Sequence, residues 1–254
     1  MNLNWKPHLY SAVFFLAAIA IWQIATALQW VNPLFLSTPF ETATTLFNQL
    51  VQTRELWPDI FATLYRTITA FVIAAIAGIL LGLVLGYSKL VHSSMGTAVD
   101  FARSIPATAL FPLFLLFFGI GDEAKIAVGV WAASLIIMIN TAYGVRHANK
   151  VRLMVARAYK LPKLETFSKV ILPEAAPHIA AGLRIALSLT LIVVIVTEMF
   201  IGTNVGLGHR IIDAQLVYRV PEMYAAIIVA GVLGYLLNHL LQTAERKIIH
   251  WSGR

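Results

Sequence analysis

Met154–Pro173 reads MVARAYKLPKLETFSKVILP and runs without a gap into PEAAPHIAAGLRIAL, the start of a long apolar stretch. Four of these twenty residues are cations and one is an acid. Met154 to Tyr159 has the character of a short helix. Leu161-Pro162 interrupts it, because the residue before proline is pushed out of the helical region. Lys163 to Val170 resumes, with Leu164, Phe167 and Val170-Ile171 on one face at spacings of three and four. The expected result is a helix–turn–helix on the inner face of a membrane, with Tyr159, Leu161 and Leu164 as apolar knobs among cations. Such a segment suits docking of a soluble partner. The alternative is an interfacial helix that touches only lipid headgroups. The connection from about 144 to 178 is about 35 residues long, more than a plain turn between spans needs, which favours the partner.

Outward from this segment, the composition is that of a membrane protein. Of 254 residues, 59% are hydrophobic and 12% charged, about half the usual charged share of a soluble domain. The mean hydropathy is +0.78. The formal charge of +7 would raise nucleic acid as a partner in a soluble chain. Here the cations cluster between apolar stretches, which fits loops held on the inner side of a membrane and no nucleic acid. There is no cysteine, hence no disulfide, thiolate chemistry or cysteine-ligated metal. The first apolar stretch, Leu9 to Leu28, exceeds a signal-peptide core and is read as a retained span.

Six stretches reach roughly the 20 residues a helix needs to cross the hydrocarbon: about 9–28, 64–87, 97–118, 124–143, 179–201 and 222–242. Nothing alternates with period two, so the fold class is all-α, a polytopic bundle of about six transmembrane helices. The whole chain, 1–254, reads as a single transmembrane domain with its core at about 60–245 and its coupling segment at about 144–178. The third stretch carries Pro106 and Pro112, with Arg103 near one end, and should be kinked or start at an angle. In the second, Gly78, Gly82 and Gly86 recur every four residues, a pattern that lets two helices approach closely.

Charge orients the bundle. With the N-terminus in the cytoplasm, the inner segments hold Lys6, Lys89, Arg103, Arg146, Lys150, Arg152, Arg157, Lys160, Lys163, Lys169, Arg246, Lys247 and Arg254. The outer ones hold only Arg54, Lys125, Arg210 and Arg219, with Arg66 and Arg184 near span ends. Both termini and 144–178 are thus expected inside, and 29–63 and 202–221 outside. The outer connection should be partly helical around Glu41 to Gln52.

Several strings, in order, carry a resemblance. They are FLSTP at Phe35, LWPDIFATLYRTITAF at Leu56, GILLGLVLGYS at Gly78 and RSIPATALFPLFLLFFGIG at Arg103. NTAYGVR at Asn140, ARAY at Ala156 and VILPEAAPHIAAGLRIAL at Val170 follow, then GLG at Gly206 and ERKIIHW at Glu245. The chain resembles the permease subunits of binding-protein-dependent ATP-binding-cassette (ABC) importers, in the branch serving nitrate, sulfonate, taurine, bicarbonate and certain pyrimidine-like substrates. The resemblance implies the type I importer fold and alternating access in the inner membrane of a prokaryote. It implies a second permease subunit, two copies of an ABC ATPase and a soluble or lipid-anchored substrate-binding protein. ATP and Mg would be bound by the ATPase, with no cofactor in this chain. The solute would be small and anionic. The alternatives are a permease for a pyrimidine-like or other aromatic molecule, or a stand-alone secondary transporter; the latter usually shows internal repeats, and none is evident between the halves.

The family's cytoplasmic motif begins Glu-Ala-Ala, has glycine six residues on and ends Leu-Pro. Anchored on Leu172-Pro173, its glutamate position falls on Met154 and its glycine position on Lys160. Ala156, Arg157, Ala158, Tyr159, Phe167 and Val170 fit the pattern. The literal Glu174-Ala175-Ala176 follows the Leu-Pro and is a decoy. The resemblance thus places ATPase coupling on Arg157, Tyr159, Lys160, Leu161, Lys163, Leu164 and Phe167. The two departures mark either drift in a homodimer, which is favoured, or an asymmetric pair in which a different permease carries the standard motif.

No GxxxxGK[ST] string occurs, and most histidines sit at span ends, where headgroup contact is the plain reading, so neither a catalytic site nor a metal site is assigned and the chain does not read as an enzyme. Polar residues inside spans are costly and mark interiors or pathways. On that ground Glu198, Asn140, Trp131 and Ser188 are pathway or gating candidates. Glu198 should take a hydrogen-bond donor from another helix; Arg184, fourteen residues away on the same helix, is about 21 Å off and too far. Trp131 also suits ordinary packing. The fourth span has Ser134-Leu135-Ile136 where the resembled family has Phe-Phe-Pro, so it should run straight.

Overall fold

The computed structural model describes residues 6–200 and 204–249. Ile201 of the expected fifth span, His250 and Trp251 of the closing string, and Arg254 lie outside the described residues. Those described form helices and connections without a strand. In chain order the helices are α1 (Lys6–Ala27), α2 (Pro39–Phe47), α3 (Leu56–Tyr87), α4 (Lys89–Ser104), α5 (Phe111–Phe118) and α6 (Asp122–Arg146). They continue with α7 (Lys150–Ala158), α8 (Lys163–Thr166), α9 (Leu172–Phe200), α10 (Leu207–Leu216) and α11 (Val220–Ile248).

The centre is a layer of α3, α6 and α9, and small residues explain its tightness. A Cβ on Gly78 would lie 2.8 Å from Ile137 Cβ, and one on Gly82 2.6 Å from Met138 O, so the α3 glycine stripe is where α6 lies against it. Gly144 against Ala175 and His178, and Gly182 against Asn140, do the same between α6 and α9. Such close approach lets van der Waals contact hold helices together where lipid offers no hydrophobic drive. Ala74, Ala133, Ile137 and Ala186 fill the seam. Helix α2 opens on a capping box, in which Thr38 accepts from Glu41 N–H and the Glu41 carboxylate accepts in return. With the following π turn at Asn48–Gln52 it is the expected helix around Glu41 to Gln52. Helix α1 is tied on at Trp22, whose indole N–H donates to Ser37 O at 2.9 Å and whose ring meets that of Tyr224.

Among the described residues four helical rods are long and apolar enough to cross a membrane: α3, α6, the continuous Lys163–Phe200 and α11. In α1 the apolar helical part is Ala12–Ala27. Three sequence expectations change. First, the kink expected in the stretch at 97–118 is a full break: α4 and the segment Ala107–Phe118 meet at 86° across Ile105-Pro106. Pro106 lacks the N–H to continue the ladder and restricts Ile105 before it. Arg103, placed with the cytoplasmic residues above, stands beside this break, level with the middle of α6. Val99 packs near Leu135 and Met138, and Ala107 joins the cluster of Val128 and Ala132. Second, the arm from Lys163 does not stop before the fifth span. It continues into α9 through a π turn at Phe167–Ile171, a wider turn that accommodates Pro173. Third, the two helical arms expected within 144–178 are present but longer, and the irregular part is confined to His147–Asn149 and Tyr159–Pro162. The fourth span does run unbroken, as the missing proline implies.

Candidate functional site

The coupling segment is held rigidly and leaves its knobs free. Asn149 caps α7 by accepting from Val151 N–H at 2.9 Å, so the helix begins four residues before Met154. It closes with Leu161 N–H on Ala156 O at 3.0 Å and Lys160 N–H on Arg157 O at 2.9 Å. This closure puts the residue just past the helix in the left-handed region, and Lys160 has φ 53°. The glycine of the resembled motif falls at this position, where a residue without Cβ is least strained. Pro162 then starts the second arm. Phe167 turns inward, edge-on to Tyr87 at 5.5 Å and against Val145, Ile171 and Ala175. Leu161 is half-buried, whereas Tyr159 and Leu164 are 77% and 79% exposed. Arg157, Lys160 and Lys163 surround them in solvent. Arg152 pairs with Glu174, and Ala175 is fully buried, so the decoy Glu-Ala-Ala fastens α7 to α9.

At the opposite end of the bundle a buried charge cluster surrounds Glu198, which is 1% exposed. The donors expected from another helix are present: Arg66 Nη1 at 2.5 Å and the Thr63 hydroxyl at 2.9 Å, both on α3. Gly208 N–H is the third donor, at 3.0 Å. Arg66 also donates to Asp122 at 2.7 Å and to Val205 O at 2.9 Å. Asp59 accepts from Gly206 N–H at 2.8 Å and from Arg210 Nε at 2.9 Å. Leu207 N–H donates to Thr63 at 2.9 Å. Three N–H groups at the start of α10, which have no acceptor within their own helix, are thus taken by side chains of α3 and α9. The carboxylates also sit where the helix dipole favours negative charge. Gly206 has φ 145° and a Cβ there would lie 2.6 Å from Glu198 Cδ, which accounts for the first glycine of GLG. Lys125, fully buried on α6, donates to Gly121 O at 2.8 Å.

The arrangement is a lock. It fastens α10 and the turn before it to α3, α6 and α9, and every Glu198 oxygen is engaged inside protein. Sequence reasoning found Glu198 but missed Arg66, whose partner is 132 residues away. The available signal was the spacing of Asp59, Thr63, Arg66, Ala70, Ala74 and Gly78, one face of α3 that leads into the glycine stripe.

The other pathway candidates are not gathered with Glu198. Asn140 donates to Ile136 O on its own helix and faces Gly182. Ser188 accepts from Asn238 at 2.8 Å, joining α9 to α11. Trp131 lies on the α6 face of Val128 and Leu135, and its indole N–H is buried without a hydrogen-bond partner among the described residues.

A bundle of apolar helices with an exposed, cation-ringed elbow at one end and a buried charge cluster at the other defines a multi-span membrane protein. Residues 74–249 match the family described as binding-protein-dependent transport system inner membrane component. The chain is 32% identical over 235 residues to the aliphatic sulfonates transport permease protein SsuC of Bacillus subtilis, covering 92% of this chain and 84% of that one. It is 36% identical over 194 residues to the nitrate import permease protein NrtB of Leptolyngbya laminosa, covering 76% and 69%. Its fold is similar to that of the MetNI methionine ABC transporter in an inward-facing conformation, with TM-score 0.58, 23% identity and coverage of 81% of this chain and 98% of that one. The chain belongs to the binding-protein-dependent transport family. It is a multi-pass inner-membrane permease subunit of an ABC importer, working with a separate ATPase subunit and a second permease.

Proposed function

We propose that two copies of this chain form the pathway of an ATP-driven importer for a small anionic solute of the sulfonate or nitrate type. Two ATPase subunits, which hold ATP and Mg, dock beneath the coupling segments, and an external binding protein delivers the solute. Both termini and the coupling segment face the cytoplasm, and the Glu198 lock lies at the outer end. The observation that carries this reading is the pair of exposed apolar knobs, Tyr159 and Leu164, ringed by cations on a braced turn. Closure of the ATPases on ATP pushes this turn. Because the second arm is continuous with α9, the push is delivered along a helix that carries Glu198 in its last turn. The solute class rests on the two named relatives, whose sulfonates and nitrate share a negative charge more than a shape.

The test is reconstitution of this chain with its ATPase and binding protein in vesicles. Native mass spectrometry should find two copies of this chain and two of the ATPase. Uptake of ethanesulfonate or nitrate should require ATP. One copy with a different permease would overturn the homodimer, and ATP-driven uptake confined to neutral solutes would overturn the solute class.

A further inference from the structure

The break between α4 and Ala107–Phe118 sits at the wrong depth for lipid. The chain climbs beside α6, with Val91 and Val99 in the cluster of Leu135, Met138 and Ala142, then Ala107 and Phe111 in that of Ala124, Val128 and Ala132. The break therefore lies between the levels of Ala132 and Leu135. Helix α6 spans 25 residues from Asp122 to Arg146, so this is close to its midpoint, about 17 Å from either end. Pro106 has no N–H to donate, and Ser104 and Pro106 are exposed. Beside them Arg103 and Asp100 form an ion pair at 3.2 Å with side chains 58% and 69% exposed. Irregular backbone and ionised groups at mid-depth persist only where they are buried in protein or line a water-filled cavity. These are uncovered by their own chain. Trp131, on the α6 face that meets this segment, carries the indole N–H that has no partner among the described residues.

We propose that the break at Ser104–Pro106 lines the aqueous pathway at mid-membrane and that Arg103 is the cation that pairs with the anionic solute in transit. In the empty pathway Asp100 neutralises Arg103. A passing sulfonate or nitrate oxygen replaces it, since guanidinium presents paired N–H groups that match such oxyanions. The pair is solvent-exposed and three residues apart on one helix, so the exchange is easily reversed, as a transit site requires. This rests on the reading of the chain as a pathway-forming permease.

The absence of cysteine makes the test direct. Ser104→Cys, in the assembled transporter, should react with the negatively charged sulfonatoethyl methanethiosulfonate at least about tenfold faster than Ile76→Cys, an exposed apolar position on α3 at the same depth. Adding Arg103→Gln should slow that reaction about tenfold and leave the positively charged trimethylammonium reagent unslowed, while Arg103→Lys keeps most of the preference. Uptake of ethanesulfonate by Arg103→Gln should show a raised KM with ATPase retention intact. Equal reactivity of Ser104→Cys and Ile76→Cys, or equal effects of Arg103→Gln on both reagents, would overturn the inference even if anion uptake is normal. Charge-selective labelling without uptake of any anion would support the site and overturn the solute class.

Discussion

Glu198→Ala removes the acceptor for three donors at once. Arg66 keeps Asp122 and Val205 O, and Thr63 keeps Leu207 N–H as its donor, but Gly208 N–H loses its acceptor and Arg66 its shortest anion contact. Deleting one partner of a buried ion pair costs about 3–5 kcal/mol when the remaining charge is left uncompensated; Arg66 retains Asp122, so the loss here falls below that, at about 2–3 kcal/mol. The loss falls on the start of α10, which stays anchored by Asp59 through Gly206 N–H and Arg210. Hydrogen exchange at Gly206–Gly208 in detergent-solubilised or nanodisc-embedded complex should therefore accelerate by about 10²-fold, with α3 and α6 amides unchanged. Glu198→Gln keeps the shape and one acceptor oxygen but turns the other into an NH2 donor, so either Arg66 or Gly208 N–H loses its acceptor along with the charge. A charge-assisted hydrogen bond is about twice as strong as a neutral one, so a loss of about 1–2 kcal/mol and roughly tenfold faster exchange are expected. Glu198→Gln should retain much of the transport; Glu198→Ala should lower assembly or let ATP hydrolysis run without uptake. Unchanged exchange at Gly206–Gly208 in a folded Glu198→Ala complex would refute the lock. A changed solute profile in Glu198→Gln, with assembly and coupling intact, would move this residue into the pathway.

Further outcomes follow from the other end of the molecule. Lys163→Glu with Leu164→Asp reverses a charge and removes an exposed apolar knob, and should release the ATPase on size-exclusion chromatography while the spans stay folded; full retention with normal uptake would exclude docking there. Lys160→Gly relieves a left-handed residue and should raise stability by up to about 1 kcal/mol, read as a higher unfolding temperature of the complex with ATPase binding kept. For topology, Ser37 is a poor probe because it is 3% exposed. Gln52→Cys and Lys150→Cys are both exposed, and in intact cells an impermeant thiol reagent should label only the first; the reverse pattern would invert the orientation.

Much of this architecture is legible in the residues alone, for stated physical reasons. Apolar stretches such as 64–87 and 124–143 must be helical because lipid offers their backbones no partner. Glycines every four residues along α3 announce a close neighbour, and Leu161-Pro162 announces the turn that presents Tyr159 and Leu164. Those features depend on residues close together in the chain. What only the tertiary structure decided depends on distance. The level of Arg103 follows from which turn of α6 lies beside it, not from its place between Lys89 and Asp122, so a cation placed with the inner segments by sequence stands level with the middle of α6. The continuity of Lys163–Phe200 follows from a π turn that no propensity signals. Glu198 meets Gly208 ten residues on, but its other partners are Thr63 and Arg66, and residues 132 or more positions apart leave no periodic trace of their meeting. Helix spacing is written locally, but charge pairing in a bundle is settled by which helices lie side by side and at what height.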